Sequence, residues 1–465
     1  MVIRGLSLVA LTVPIHRIAA QAQAPSARDR PSVCAPPSRG ASLAARLERD
    51  PVATFDTAWA LIARSHWDTT FNGVDWTGVR AALRPQATAA RTTGELRRVM
   101  GDMVGRLHQS HFAIIPQEVA AGTPAADVSA PSGDAGLEIR LLNDSVVVTA
   151  VAPGSPAAVQ GVRPGWVITR IAGCPVDTRQ AGSEVGGAAG SPRARALAVY
   201  QAVHQAMAGA VGDTLDLGLL DERNRAVSRR LVRGPLPGTV TKFGNLPPLA
   251  ATLSMQRLPQ EGRTVGIIRF NIWMPLVMRE FDAAIDSLRD VDGIILDLRG
   301  NFGGVGGMTM GVAGHFLDSA VSIGTMTQRH NTLRFVVNPR RVDTKARSVR
   351  PYAGPLAIVV DELSVSTTEI FAKGLQALRR ARVFGTQTAG QALPAVPERL
   401  PNGDILYHAV ADFRSPRGDA IEGDGVIPDV AMPTTRAALL ARRDPPLDAA
   451  IGWLLSMRST SMPRQ

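Results

Sequence analysis

The 465-residue chain is poor in cysteine, lysine and aromatic residues. Cys34 and Cys174 are the only cysteines. Two cannot make a disulfide framework, so at most one bridge in an oxidising compartment is left open. Lys242, Lys345 and Lys373 are the only lysines, so the net charge of +11 is almost wholly arginine. Aromatics make up 5% of the chain and no basic run is interleaved with them. That pattern reads as a dispersed, solvated basic surface and gives no nucleic-acid partner. No stretch after the N-terminus has the length of a membrane-spanning helix, so no stable membrane insertion is expected. What remains is a globular composition, 45% apolar and 20% charged, in a chain long enough for two or three domains.

The N-terminus has the layout of an export signal over residues 1–22. Arg4 precedes a short apolar core from Leu6 to Ile15, and Ala20-Gln21-Ala22 is an Ala-x-Ala cleavage site. The expected location is exported, periplasmic or extracellular. Residues 23–40, rich in Ala, Pro, Ser and Arg, read as a linker. Residues 41–120 are expected to form a helical block, with Phe55, Trp59, Leu61 and Ile62, then Leu96, Val99, Met100, Val104 and Leu107, at helical spacing. A second Gly/Pro/Ala/Ser linker follows. Residues 134–234 read as a compact β-rich unit, with Gly182 to Gly190 an extended loop. Residues 240–440 alternate strands and helices, the pattern of an α/β layered core, and 441–465 would supply a C-terminal helix and tail. The stretch from Met326 to Pro355 is strand-like in places and has no evident role.

Two segments carry the chemistry. Gly293-Ile294-Ile295-Leu296-Asp297-Leu298-Arg299-Gly300-Asn301-Phe302-Gly303-Gly304 is an apolar strand running into a glycine turn whose backbone N–H groups can face an anion. Val359-Val360-Asp361-Glu362-Leu363-Ser364-Val365-Ser366-Thr367-Thr368-Glu369 is a strand, a polar turn and a helix start, which presents a serine where helix-terminal N–H groups converge. Taken alone, Ser366 to Glu369 also fits a helix-capping box. Together the segments closely resemble the C-terminal processing (tail-specific) serine peptidase family, marked by Asp-Leu-Arg-x-Asn-x-Gly-Gly and a later Ser-x-Ser-x-x-Glu. The resemblance implies Ser366 as nucleophile and Gly303, Gly304 and Thr367 as the oxyanion hole. It also implies a crotonase-like αββ core. Gly136-Leu137-Glu138-Ile139, with Gly154-Ser155-Pro156-Ala157 and the turn Gly161 to Gly165, resembles a PDZ domain inserted before that core. Gly136, Leu137, Glu138 and Ile139 would then be its peptide-binding loop, although Trp166 stands where an aspartate is usual.

The base is the open question. Bacterial members of the family mostly use a lysine in a Gly-x-x-x-x-Gly-Lys turn, but here Gly385 to Gln391 puts a glutamine there, which cannot accept the proton. Ser110-His111 and Glu422-Gly423-Asp424-Gly425-Val426-Ile427-Pro428-Asp429 match the tricorn-type branch. That match implies a tetrad of Ser366, His111, Ser110 and Glu422, with imidazole as a base suited to neutral pH. His108 and Lys373 are rival bases. His108 and His111 also raise a metal pair, but no third ligand stands at a familiar spacing, so no metal and no cofactor are expected. The resemblance thus implies an exported serine-type endopeptidase acting on protein or peptide substrates, with a PDZ domain presenting their C-terminal tails. The alternative is a non-catalytic ligand- or peptide-binding protein on a peptidase scaffold. A homo-oligomer is left open.

Overall fold

The computed structural model describes residues 50–120, 132–181, 191–242, 244–245 and 249–457. The leader, the linker after it and the loop from Gly182 to Gly190 lie outside the described residues, as does Cys34. Three helices come first: α1 (Pro51–Ser65), α2 (Trp76–Ala89) and α3 (Thr93–Gly105). Each is started by a side-chain cap, from Asp50, Asp75 and Thr92 respectively, and Thr92 with Glu95 completes a reciprocal capping box. The helically spaced Phe55, Leu61, Ile62, Leu96, Met100 and Leu107 form one buried cluster. The chain then enters the short strand β1 (Ala113–Ile115).

The β-rich unit contains β2 (Leu137–Leu142), β3 (Ser145–Val151), α4 (Pro156–Val159), β4 (Val167–Ile171), α5 (Pro192–Met207), β5 (Thr214–Leu220) and β6 (Ala226–Val232). Its strands pair antiparallel in the order β2-β3-β4-β5-β6, which leaves β2 at an edge, against α5. Alternation along β5 buries Leu215, Leu217 and Leu219 beneath α5. Trp166 is buried too, and its indole N–H donates to Glu222 at 3.0 Å.

In the remaining part, β7 (Leu253–Gln260) pairs antiparallel with β8 (Arg263–Phe270). After α6 (Pro275–Ser287), strands β9 (Gly293–Asp297), β12 (Leu356–Val360), β13 (Arg382–Gly385) and β17 (Val430–Ala431) extend the sheet in parallel, in the order β7-β8-β9-β12-β13-β17. Every residue of β9 and β12 is buried. The period-two alternation sends Ile294, Leu296, Leu356 and Ile358 to one face. It sends Ile295, Ala357 and Val359 to the other, under Ala450 and Leu454 of α9 (Pro445–Ser456). A continuous apolar run is what a parallel strand covered on both faces requires. The turn after β9 leads to α7 (Met308–Ala313), and the turn after β12 leads to α8 (Thr367–Ala377). The last ends at Ala377 with Leu378 as its C-cap, and Arg379 then turns left-handed, at φ 56. The segment without an evident role begins within the hairpin of β10 (Ser322–Gln328) and β11 (Thr332–Val336), in which β10 also pairs with β16 (Ala411–Arg414).

Specific bonds join the three parts. β1 pairs with β15 (Ile405–Ala409), which also pairs with β14 (Ala395–Arg399). Arg97 of α3 binds Asp404 and Glu118 with paired bonds of 2.6–2.9 Å, which holds the helical block to this sheet. Arg140 on β2 binds Asp361 at 2.6 Å, joining the β-rich unit to the turn after β12.

Candidate active site

Ser366 lies at the junction of β12 and α8 with φ 60 and ψ −119. A non-glycine residue there is strained by about 1–3 kcal/mol and persists only where its surroundings hold it. Ser366 N–H is shared between Gln391 O and Glu369 Oε2, each 2.9 Å away, and Val365 N–H donates to Asn301 O at 3.0 Å. Glu369 thus supplies the return arm of the capping box seen in the sequence. The Ser366 hydroxyl itself is 3.2 Å from His111 Nε2.

The bonds continue beyond the imidazole. His111 Nδ1 is 2.7 Å from Ser110 Oγ, and Ser110 Oγ donates to Glu422 Oε2 at 2.8 Å. Glu422 is itself held by the N–H groups of Ser110 (2.9 Å) and Ala392 (3.0 Å). A carboxylate can only accept, so the Ser110 proton goes to Glu422 and the hydroxyl oxygen must accept from His111. That fixes the proton on Nδ1 and leaves the bare Nε2 facing Ser366, the tautomer a general base needs. Protein packed around the imidazole lowers its pKa to about 4, although the residue as a whole is only half-buried. Burial also raises the Glu422 pKa against the pull of its three donors. His111 has φ 62, so the chain kinks between α3 and β1 just where the ring must turn inward.

Opposite Ser366 lies the glycine turn. An added Cβ at Gly303 would sit 2.7 Å from Ser366 Cβ, and one at Gly304 would sit 2.3 Å from Trp273 O, so this approach tolerates no side chain. Gly303 N–H is committed to Asn301 Oδ1 at 3.0 Å. This corrects the expectation that Gly303 would be an anion donor. Among the described residues no hydrogen bond occupies the N–H of Gly304 or of Thr367, and Gly304 is exposed where Gly303 is buried. Thr367 Oγ1 donates to Gly304 O at 2.8 Å, tying these two donors together. Sequence reasoning missed much of the support. Trp273 donates its indole N–H to Thr368 Oγ1 (2.9 Å) and brackets the turn by backbone bonds to Gly303 and Val305. Thr368 Oγ1 in turn donates to Asn301 Oδ1 at 2.8 Å. Tyr407 lies 5.8 Å from the His111 ring. None of these has a local sequence signal, because each contact joins distant segments.

The rival bases are not at the site. His108 is exposed, and Lys373 is aimed at Asp419, 3.8 Å away. Gln391 contributes its backbone, which accepts from Ser366 and donates to Glu369 at 3.0 Å. Ser364 is buried, donates to Leu298 O and accepts from Asp361 N–H. No group of three or more acidic, histidine or cysteine side chains able to hold a metal occurs among the described residues. In the β-rich unit Gly136 has φ 76 and gives its N–H to Asp134, while Leu137, Glu138 and Ile139 form the start of edge strand β2. Glu138 also binds Arg269 at 2.6 Å.

A serine, an imidazole with its lone pair toward it, a relayed carboxylate and two free N–H groups can perform acyl transfer. The profile of peptidase family S41 matches residues 264–432, and that of the tricorn protease C1 domain matches residues 49–105. The chain thus carries a peptidase S41 domain and a tricorn protease C1 domain. It is a serine-type endopeptidase, a hydrolase. It is 25% identical over 384 residues to the carboxyl-terminal-processing protease of Picosynechococcus sp., covering 81% of this chain and 82% of that one. It is 26% identical to the chloroplastic carboxyl-terminal-processing peptidase 2 of Arabidopsis thaliana, covering 82% and 68%. Among solved structures the fold is similar to the photosystem II D1 C-terminal processing protease, with a TM-score of 0.55, 20% identity and coverage of 83% and 94%. It is also similar to mature CPAF, with a TM-score of 0.58, 13% identity and coverage of 89% and 99%. The chain therefore shares its fold with proteins far from it in sequence.

Proposed function

We propose that this S41 peptidase cleaves peptide bonds with Ser366 as nucleophile, His111 as general base and Ser110 and Glu422 as its orienting relay. The unbroken chain of hydrogen bonds from Ser366 to Glu422 carries this reading. As Ser366 Oγ bonds to the substrate carbonyl carbon, its proton passes to His111 Nε2. The negative charge that develops on the carbonyl oxygen is held by the N–H groups of Gly304 and Thr367. His111 then gives the proton to the leaving amine nitrogen as the C–N bond breaks, and a water repeats the sequence to release the acid and restore Ser366. The second reading, a non-catalytic binding protein, has no observation in its favour once His111 faces Ser366.

The β-rich unit is read as a PDZ domain that takes substrate tails by adding them to the β2 edge beside α5. Helix α5 supports a working link to the site, because it touches both of its arms. Arg193 donates to the carbonyls of Gly423 (2.7 Å) and Asp424 (2.9 Å) next to Glu422, and the Tyr200 ring lies 5.2 Å from that of Phe302 next to Gly303. The α/β part is read as the crotonase-like core. Export is supported by the leader with its Ala-x-Ala site and by Cys174, which is disulfide-bonded, as an oxidising compartment allows. No helix among the described residues is long and apolar enough to cross a membrane.

Labelling with a fluorophosphonate tests the central claim. The wild-type protein should be phosphonylated and Ser366→Ala should not. Equal labelling of both would remove Ser366 as the nucleophile.

A further inference from the structure

We propose that Glu369 is a positioning residue for this reaction, whose buried carboxylate locks the nucleophile's turn and the turn that holds Glu422 into one rigid piece. The inference rests on the reading of Ser366 as nucleophile. Glu369 lies one helical turn beyond Ser366 on α8, with its side chain fully buried. Both of its oxygens are doubly engaged. Oε2 accepts from the N–H groups of Ser366 (2.9 Å) and Gln391 (3.0 Å). Oε1 accepts from Thr388 Oγ1 (2.5 Å) and Gly390 N–H (2.7 Å). A glutamate that merely capped the helix would need only the bond to Ser366. The other three donors all belong to the turn in which Gln391 stands in place of the expected lysine.

That turn also carries the far end of the relay. Ala392 N–H donates to Glu422 Oε2 at 3.0 Å. Gly390 O accepts from Gly423 N–H at 2.9 Å, and Thr388 Oγ1 accepts from Val426 N–H at 2.7 Å. The loop that aims Glu422 at Ser110 therefore hangs on the same carboxylate that holds Ser366 at φ 60. Ser366 N–H closes the circuit on Gln391 O.

The chemistry of the site calls for a carboxylate. Four donors converge on Glu369, and only an ionised carboxyl group accepts freely on both oxygens. An amide would turn its own N–H groups toward two of those donors. Lys373, one turn further along α8, is directed to Asp419 and leaves the work to the donors. Glu369 touches no substrate atom in this scheme. It acts through the positions of Ser366 Oγ and Glu422 relative to His111, so it should govern kcat and leave peptide binding nearly alone.

The test uses the full-length protein with a peptide substrate and a fluorophosphonate probe. Glu369→Gln should lower kcat by about 100-fold, the scale of a misplacement of about 1 Å, with KM within about threefold of wild type. Its phosphonylation should slow in parallel. Thr388→Val, which spares the carboxylate but removes one of its donors and the acceptor of the Val426 N–H, should lower kcat at least about tenfold, the scale of one lost charge-assisted hydrogen bond. Thr388→Ser, which keeps the hydroxyl, should recover most of that. A kcat for folded Glu369→Gln within about threefold of wild type overturns the proposal. If Glu369→Gln does not fold, the Thr388 pair decides, and equal loss in Val and Ser variants, or no loss in either, overturns it. A wild-type protein inert to the fluorophosphonate would instead defeat the assignment of Ser366, a failure separate from this one.

Discussion

His111 Nε2 lies 3.2 Å from Ser366 Oγ although 255 positions separate the two residues in the chain. The helical block and the α/β part thus each supply half of the reacting pair. His111→Ala should be nearly as damaging as Ser366→Ala, because members of one catalytic unit fail together rather than additively. His108→Ala and Lys373→Ala should retain activity. Hydrolysis by the four variants, measured side by side, checks this. A dead Lys373→Ala beside an active His111→Ala would return the base to lysine.

Glu422 reaches the imidazole only through Ser110, so the two should fail in related ways. Glu422→Gln replaces an acceptor with a group that can donate to Ser110 Oγ, which frees Ser110 to donate to Nδ1 and so favours the wrong tautomer. Turnover should fall by about 100-fold or more with KM little changed. Ser110→Ala should fall similarly, and the double variant should be no worse than the poorer single one. Additive losses in the double variant would show that the relay does not act as a unit.

Much of this was legible in the sequence for a definite reason. The strand-turn-helix segments at Gly293–Gly304 and Val359–Glu369 are local, so their apolar runs and turn residues announce them. The tetrad was legible only through resemblance, since nothing in the residues around His111 says that Glu422 will meet them. The commitment of the Gly303 N–H to Asn301 was not visible, because it depends on a side chain that folds back two residues and is anchored at Phe270 O. Nor was the role of Glu369, whose helix-capping pattern is ordinary. Its other three donors are 19 to 22 residues away.

The pH profile should separate two ionisations. The sequence suggests an acid limb near the histidine reference of about 6.5, but burial lowers His111 to about 4. Burial pushes Glu369 the other way, up to about 7. Both groups must be unprotonated to work, so kcat/KM should rise with pH through about 7 as Glu369 ionises. Glu369→Gln should lose that limb, keeping a lower plateau whose acid edge lies near 4, set by His111. For stability the signs oppose. Glu369, raised above its unfolded value of 4.5, contributes stability present below 4.5 and lost as pH rises through about 7. His111, depressed below 6.5, contributes stability present above 6.5 and lost as pH falls through about 4. The two slopes offset between 4.5 and 6.5, so unfolding of the single variants, not of the wild type, reveals each.

The joint between the β-rich unit and the site rests on Arg140. Its guanidinium donates to Asp361 Oδ2 at 2.6 Å, and Asp361 Oδ1 accepts from the N–H groups of Gly300 (2.9 Å) and Leu363 (3.1 Å). Both partners are buried, and an added Cβ at Gly300 would lie 2.7 Å from Arg140 Nη2. Removing the cation leaves the Asp361 carboxylate buried beside Glu362, whose own pKa is already raised by burial first and by Asp361 second. Arg140→Ala should therefore cost about 3–5 kcal/mol, the usual penalty for orphaning a buried charge. Arg140→Ala combined with Asp361→Asn should recover part of it, because the charge is gone. Urea unfolding followed by tryptophan fluorescence reads both. The Gly300 N–H anchors the start of the turn that ends in Gly304, so the single variant should also lose turnover. If Arg140→Ala unfolds at the wild-type urea concentration, the pair is solvated in solution and the unit is not docked through it.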